Sequence, residues 1–261
     1  KGSLEGEFII PFDADGKIGK DYGFYGKISE ASINLTKDFS IKNFTTEIRH
    51  GSGVENSGFI ANIKKGTFLD IKLDGSVINL NREENKIKIK SKLNTSGKIN
   101  SSNIKKILPF FDLNKDIFKD IKGNINLHTN ISFYLDNRFK IKNLLYNTRG
   151  IISYLELSTE EKKLIKQYLP EYDPTIIAKN INIKFIKSKS KHVAELDGAI
   201  KVKEKFDNFT IKEQYNYNKK KFNINGFFDL THSKVNISKL NYKKDRGEKS
   251  QLFFDTDISI K

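Results

Sequence analysis

Between Ile121 and Leu135 the chain alternates strictly in character. The odd positions read Ile121, Gly123, Ile125, Leu127, Thr129, Ile131, Phe133 and Leu135, and the even ones Lys122, Asn124, Asn126, His128, Asn130, Ser132 and Tyr134. Period-two alternation puts one set on each side of a β-strand. At about 3.3 Å per residue the segment makes a strand roughly 50 Å long, where ordinary strands have about five or six residues. A strand this long, apolar on one side only, constrains the fold more than any other feature. Whatever this chain builds, it has a large apolar surface to place.

The pattern recurs. Ile87, Ile89, Ser91 and Leu93 share one face of 86–94, and Ala194, Leu196, Gly198, Ile200 and Val202 share one face of 193–203. Phe222, Ile224, Gly226, Phe228 and Leu230 follow, then Leu252, Phe254, Thr256, Ile258 and Ile260. Leu4, Gly6, Phe8 and Ile10 alternate near the start, as do Leu69, Ile71 and Leu73. This predicts about a dozen strands, joined at turn signals such as Asp13-Ala14-Asp15-Gly16, Gly51-Ser52-Gly53 and Asp136-Asn137.

Two segments have helical spacing instead. In 101–111, Ile104, Ile107, Leu108 and Phe111 form a stripe that Ser101 or Ser102 can cap. In 158–169, Ser158-Thr159-Glu160-Glu161 reads as a capping box, and Leu164, Ile165, Tyr168 and Leu169 form the stripe. Each stripe ends in Leu-Pro-x-aromatic-Asp, at Leu108-Pro109-Phe110-Phe111-Asp112 and Leu169-Pro170-Glu171-Tyr172-Asp173. A glycine also opens several strand patterns, at Gly75, Gly123, Gly198 and Gly226. Both echoes suggest a repeated architecture.

Composition enters as a filter. With no Cys there are no disulfides, thiol nucleophiles or cysteine metal sites. His50, His128, His192 and His232 are isolated, with no two at metal-ligand spacing. No G-x-S-x-G elbow, phosphate loop or dinucleotide fingerprint is present. The pairs Glu83-Glu84 and Glu160-Glu161 are placed by nothing as an acid and base. We expect no catalytic site, metal or cofactor. The net charge of +15 raises nucleic acid as a partner, but the lysines are dispersed between apolar residues, as in Lys86-Ile87-Lys88-Ile89-Lys90, and read as solvated strand faces. The longest basic run, Lys219-Lys220-Lys221, is too short for a nucleic-acid arm. The chain begins at Lys1 and contains no Met. It is therefore read as a piece of a longer protein, with any membrane anchor outside 1–261.

Three architectures can place such an apolar face. A sandwich buries it, an outer-membrane barrel turns it to lipid, and a curled open sheet makes it the inside of a groove. Two charged helices between strands suit a barrel poorly. The expected fold is mainly β: an elongated, curled antiparallel sheet forming an open hydrophobic groove, with two short amphipathic helices. It is expected as one segment, divisible into 1–100 and 101–261.

Particular stretches also resemble a known family. Gly2-Ser3-Leu4-Glu5-Gly6-Glu7-Phe8-Ile9-Ile10-Pro11 leads into Tyr25-Gly26-Lys27-Ile28-Ser29-Glu30-Ala31-Ser32-Ile33. Phe39-Ser40-Ile41-Lys42-Asn43-Phe44 follows, then Gly66-Thr67-Phe68-Leu69-Asp70-Ile71-Lys72-Leu73-Asp74-Gly75. This succession resembles the repeating β-strand region of the AsmA-like family, in particular its YhdP-like branch, and more distantly its TamB-like members. The resemblance implies a bridge-like protein anchored in the inner membrane of a Gram-negative bacterium, carrying phospholipid across the periplasm toward the outer membrane through a hydrophobic groove. It implies phospholipid acyl chains as the bound partner, with envelope proteins as further partners, and no catalytic residue. The expected groove-lining residues are Ile87, Ile89, Leu93, Ile125, Leu127, Ile131, Phe133, Leu135, Leu196, Ile200, Ile224 and Phe228. The rival readings are a structural or adhesive sandwich or solenoid with protein partners, and part of an outer-membrane barrel.

Overall fold

The computed structural model describes residues 2–19, 22–34, 39–51, 58–83, 86–108, 116, 118–138 and 140–259. Alternation in the sequence becomes β-structure nearly throughout. The first strands are β1 (Ser3–Ile9), β2 (Gly23–Asn34), β3 (Ser40–His50), β4 (Phe59–Phe68), β5 (Ile71–Lys72) and β6 (Ser76–Glu83). The long strands β7 (Lys86–Asn100), β8 (Asp120–Leu135) and β9 (Ile141–Ser158) follow. Next come β10 (Thr175–Lys187), β11 (Lys191–Val202), β12 (Lys205–Asn216) and β13 (Lys221–Asp229). The last are β14 (Val235–Ile237), β15 (Tyr242–Lys244) and β16 (Gln251–Ser259). Two helices interrupt them, α1 (Ser101–Ile107) between β7 and β8, and α2 (Lys163–Tyr168) between β9 and β10. β8 has 16 residues, close to the length its alternation predicts.

Fourteen strands form one sheet in the order β1-β2-β3-β4-β5-β7-β8-β9-β10-β11-β12-β13-β16, with β6 joining β4 and β7. The strand pairs with assigned register are antiparallel. Nearly every strand pairs with its sequence neighbour, so most connections are short hairpins. β14 and β15 form a separate two-stranded ribbon.

The chain divides into two compact units. The first comprises 1–97 and 127–148, the second 98–126 and 149–261. The division passes through β8 and β9, so residues 127–148 belong with the first unit instead of following a single break near residue 100.

In the first unit, Ile28, Thr46, Ile63 and Ser76 lie side by side across β2, β3, β4 and β6. Ile63 is 1% exposed and Thr46 fully buried, with its Oγ1 donating to the Asn62 carbonyl at 3.0 Å. In the second unit, Ile183, Leu196, Ile211, Gly226 and Phe254 lie side by side across β10, β11, β12, β13 and β16. Among the described residues the buried apolar side chains number twelve, including Phe44, Ile63, Ile181, Ile183, Val193 and Phe209. Most of the apolar residues are only half-covered.

Three expectations are corrected in detail. Leu69, Ile71 and Leu73 do not form an alternating strand. Leu69 and Asp70 both take left-handed conformations (φ 50° and 64°) in a two-residue hairpin that pairs Phe68 with Ile71, the geometry that matches the right-handed twist of paired strands. The cap of α1 is Asn100, whose Oδ1 accepts from the Asn103 amide at 3.0 Å. Ser101 Oγ turns away to Asp120 and receives the Ile121 amide at 2.8 Å. The capping box at 158–161 does not form, because Ser158 stays in β9 and α2 begins after Lys162 without a side-chain cap. Phe111, the 109–112 part of the first Leu-Pro echo, Ser52-Gly53, Glu84 and Ile260 lie outside the described residues.

The strands also carry irregularities. Register shifts occur between Ile28 and Ala31, Lys42 and Thr45, and Lys179 and Asn182. Each contains a residue at positive φ: Glu30 (52°), Asn43 (51°) and Asn180 (51°). One extra residue per bulge bends the strand and re-aims the side chain after it. Asn43 re-aims Phe44 and Asn180 re-aims Ile181, and both are buried.

Candidate functional site

Register places the expected lining residues on one side of the sheet within each unit. In the first, β6–β7 pairing sets Leu80 against Ile89, Ile78 against Ser91 and Arg82 against Ile87. Ile87, Ile89 and Leu93 therefore share the side that carries Ile78 and Ile63. On β8, the even residues point the other way. His128 Nδ1 lies 2.8 Å from Asn94 Oδ1, and Lys88 sits over the Tyr134 ring. That leaves Leu127, Ile131, Phe133 and Leu135 on the apolar side with Thr129, whose hydroxyl meets Thr148 at 3.0 Å.

In the second unit, Ile125 shares the side of Gly123, which closes on Ile99 and Leu155. The opposite side of β8 and β9 holds the pair Lys122–Glu156 at 2.8 Å. Leu196 pairs with Ile183 and Ile211, and Ile200 with Ala178 and Asp207. Ile224 lies against Glu213 and Thr256, and Phe228 against Phe209 and Leu252. The rings of Phe209, Phe228 and Phe254 stack in sequence, with centroids 6.2 and 5.9 Å apart.

All twelve expected residues are half-buried, neither sealed in a core nor fully exposed. A covered core would drive them toward complete burial. The apolar side is not uniform, since Glu213 and Asp207 belong to it by register.

Charge is concentrated on the other side. Glu195 bridges Lys184 and Lys212 at 2.8 and 3.0 Å, and these two bonds, that from Lys184 first, hold its carboxyl below the ordinary glutamate value. Glu156 is lowered by Lys122 and then by the Tyr154 hydroxyl, and Asp257 by Lys221 and Asn223. Asn182 donates to Asp197 at 2.8 Å. A shallow depression of about 730 Å³ on this side is lined by Thr210, Asn225, Phe227, Phe253 and Asp255. It is separate from the twelve residues, although its wall includes Gly226 and Phe254.

Two groups escaped the sequence reading. Asp207 is 1% exposed and binds His232 twice, through its backbone amide at 3.1 Å and its Nδ1 at 2.5 Å. Both carboxylate oxygens are thereby engaged, which makes Asp207 an anchor. It sits on the apolar side beside Ile200, so it draws the 230–250 excursion to that side. Within the excursion Lys244 is 4% exposed, and its ammonium donates to the carbonyls of Leu230, Thr231, Ser233 and Asp245 at 2.8–3.1 Å. Nothing in a Lys-rich sequence distinguishes this lysine from the solvated ones. The stripe of α2 is not sealed, with Leu164 65% and Tyr168 41% exposed, whereas Leu108 at the end of α1 is buried.

Among the described residues no cluster of His, Asp or Glu could hold a metal ion. None of the described helices is long and apolar enough to cross a membrane. Comparison with family models, curated proteins and solved structures finds no match to this chain.

Proposed function

We propose that the chain is a segment of a bridge-like lipid transfer protein, and that its apolar side takes the acyl chains of phospholipid while head groups stay in water. The observation that carries this reading is the uniform half-burial of the twelve alternating residues, with the ion pairs of Glu195 to Lys184 and Lys212 on the opposite side. An acyl chain laid along such a surface gains about 0.8 kcal/mol for each CH₂ removed from water, so a row of half-covered Ile, Leu and Phe side chains favours it without a closed pocket. In this reading the curled sheet forms a groove, the setting is the periplasm between inner and outer membranes, and anchorage lies in segments beyond 1–261. Nothing in the reading calls for catalysis or a cofactor. A sandwich, the rival structural reading, would seal these side chains against a second layer.

The test is extraction. The protein is incubated with phospholipid vesicles, separated from them, and examined by native mass spectrometry. The proposal expects adducts with the mass of intact phospholipid, reduced several-fold in Ile224→Lys with an unchanged circular dichroism spectrum. Protein that emerges free of lipid under all conditions would refute it.

A further inference from the structure

Residues 230–250 leave and rejoin the sheet at one narrow neck, where the Leu230 amide donates to the Ser250 carbonyl at 2.9 Å beside the paired ends of β13 and β16. Beyond the neck the excursion holds its own shape. β14 pairs with β15, the Gly247 amide donates to the Thr231 carbonyl at 2.8 Å, and Lys234 meets Asp245 at 3.5 Å. Lys244 gathers four of the excursion's own carbonyls. Its hold on the rest of the second unit is of another kind. Among the described residues of 230–250, Val235 is the one buried apolar side chain, while Leu240 is 73% exposed. β14 rests beside α2, and two polar ties fasten the excursion. One joins His232 to Asp207 on β12. The other joins Arg246 to Glu171, between α2 and β10, with Nε donating to Oε2 at 2.7 Å and Nη2 to Oε1. The first tie places the excursion over the apolar side. Asp207 and Ala178 flank Ile200 there by register and are 1% and 3% exposed, so this end is covered.

We propose that 230–250 is a lid over that end of the apolar side, latched by Asp207–His232 and Glu171–Arg246 and swinging about the Leu230–Ser250 neck. A segment held together by its own hydrogen bonds can part from the sheet as one cooperative body. Hinge motion then needs only a few residues at the neck to change φ and ψ. Lifting uncovers little apolar surface of the lid itself, so the polar latches decide its position. The Glu171–Arg246 pair lies at the surface and weakens as salt rises. Asp207 is sealed and holds His232 through both carboxylate oxygens. With the lid shut, an acyl chain following the apolar side stops short of Ile200. With the lid lifted, the apolar side runs on past Ile200 to the strand ends. The passage of acyl chains rests on the lipid reading, but the opening of the lid does not.

The chain has no cysteine, so Ile200→Cys supplies a single thiol beneath the lid, and its labelling by a maleimide reports opening without lipid. Labelling should be several-fold faster in R246E, which turns the attraction to Glu171 into a repulsion. The exchanged pair E171R/R246E should return the rate toward that of the parent, and added salt should speed the parent. Ile131→Cys, in the first unit, is the control and should label alike in all these backgrounds. Phospholipid uptake from vesicles is read in parallel by native mass spectrometry on chains without the added thiol. It should rise in R246E, and fall several-fold in E171C/R246C once a short bismaleimide bridges the two positions. The lid is overturned if R246E leaves labelling of Ile200→Cys unchanged, or if the exchanged pair fails to restore it. An equal rise at Ile131→Cys would mean general loosening and would also overturn it, as would a bridge that leaves uptake unchanged in a chain that takes up lipid. Labelling that follows the latch in a protein that takes up no lipid would uphold the lid and refute the lipid reading alone.

Discussion

Gly198 on β11 faces Ile181 on β10 so closely that a Cβ at Gly198 would lie 3.0 Å from the Ile181 Cα. The approach comes from the bulge at Asn180, which turns Ile181 into the sheet and leaves it 2% exposed. The same relationship occurs in the first unit. There Asn43 re-aims Phe44, and a Cβ at Gly66 would lie 3.2 Å from the Phe44 ring. Each of these bulges is matched by a glycine that leaves room for it.

Gly198→Val therefore overpacks a site that cannot widen without moving backbone, at a cost of about 1–3 kcal/mol. Thermal unfolding should fall by several degrees. Ala199→Val, one residue along on the polar side, is the control and should shift the midpoint little. Equal shifts for the two would show that the bulge does not crowd Gly198.

Removing the Lys244 ammonium takes a donor from four carbonyls at once, of which those of Leu230 and Thr231 keep the Ser233 and Gly247 amides at 3.0 and 2.8 Å. A buried polar group left without its partner costs about 1–3 kcal/mol. Lys244→Met should therefore open the excursion, and hydrogen exchange should rise across 230–250 while the β11–β12 ladder stays protected. A uniform rise throughout the second unit would mean that Lys244 supports the sheet instead of the excursion.

Acid should weaken the polar side. The folded Glu195 carboxyl is held below its ordinary value of 4.5, so its contribution is complete above that value and is lost as pH falls through the lower, folded one. Urea midpoints measured from pH 7 to pH 3 should decline over the acid end. Glu195→Gln should decline less steeply there. An identical slope in the variant would remove Glu195 from the account.

Truncations separate a covered core from an open face. Ile63→Ala, at a fully buried site, should cost about 2–5 kcal/mol. Ile131→Ala, half-buried on β8, should cost clearly less, because part of its surface is already in water. Equal losses in urea unfolding would indicate a filled core around Ile131.

Alternation made the architecture legible. Once 121–135 is read as a strand, the sides of Leu127, Ile131 and Phe133 follow, and the register of β6–β7 and β10–β13 agrees for Ile87, Ile89, Leu196, Ile200, Ile224 and Phe228. The bulges were not legible, because each depends on a single residue entering the left-handed region, and Asn43 and Asn180 look like many other asparagines in the chain. Asp207 and Lys244 were hidden for a similar reason. Their burial is set by partners 25 and 14 residues away, His232 and Leu230, which only the folded excursion brings near. Helix starts failed where a neighbouring strand competed for the same residue, as β9 does for Ser158.

The central claim is that the half-buried apolar side meets acyl chains, and site-specific photo-crosslinking tests it most directly. A photoreactive residue is placed at Phe133 or Leu196, with Lys122 and Lys201 as controls on the opposite side, and the protein is illuminated with phospholipid present. The account predicts phospholipid adducts at Phe133 and Leu196 and few or none at Lys122 and Lys201. Equal capture at all four positions, or none at Phe133 and Leu196, would contradict it.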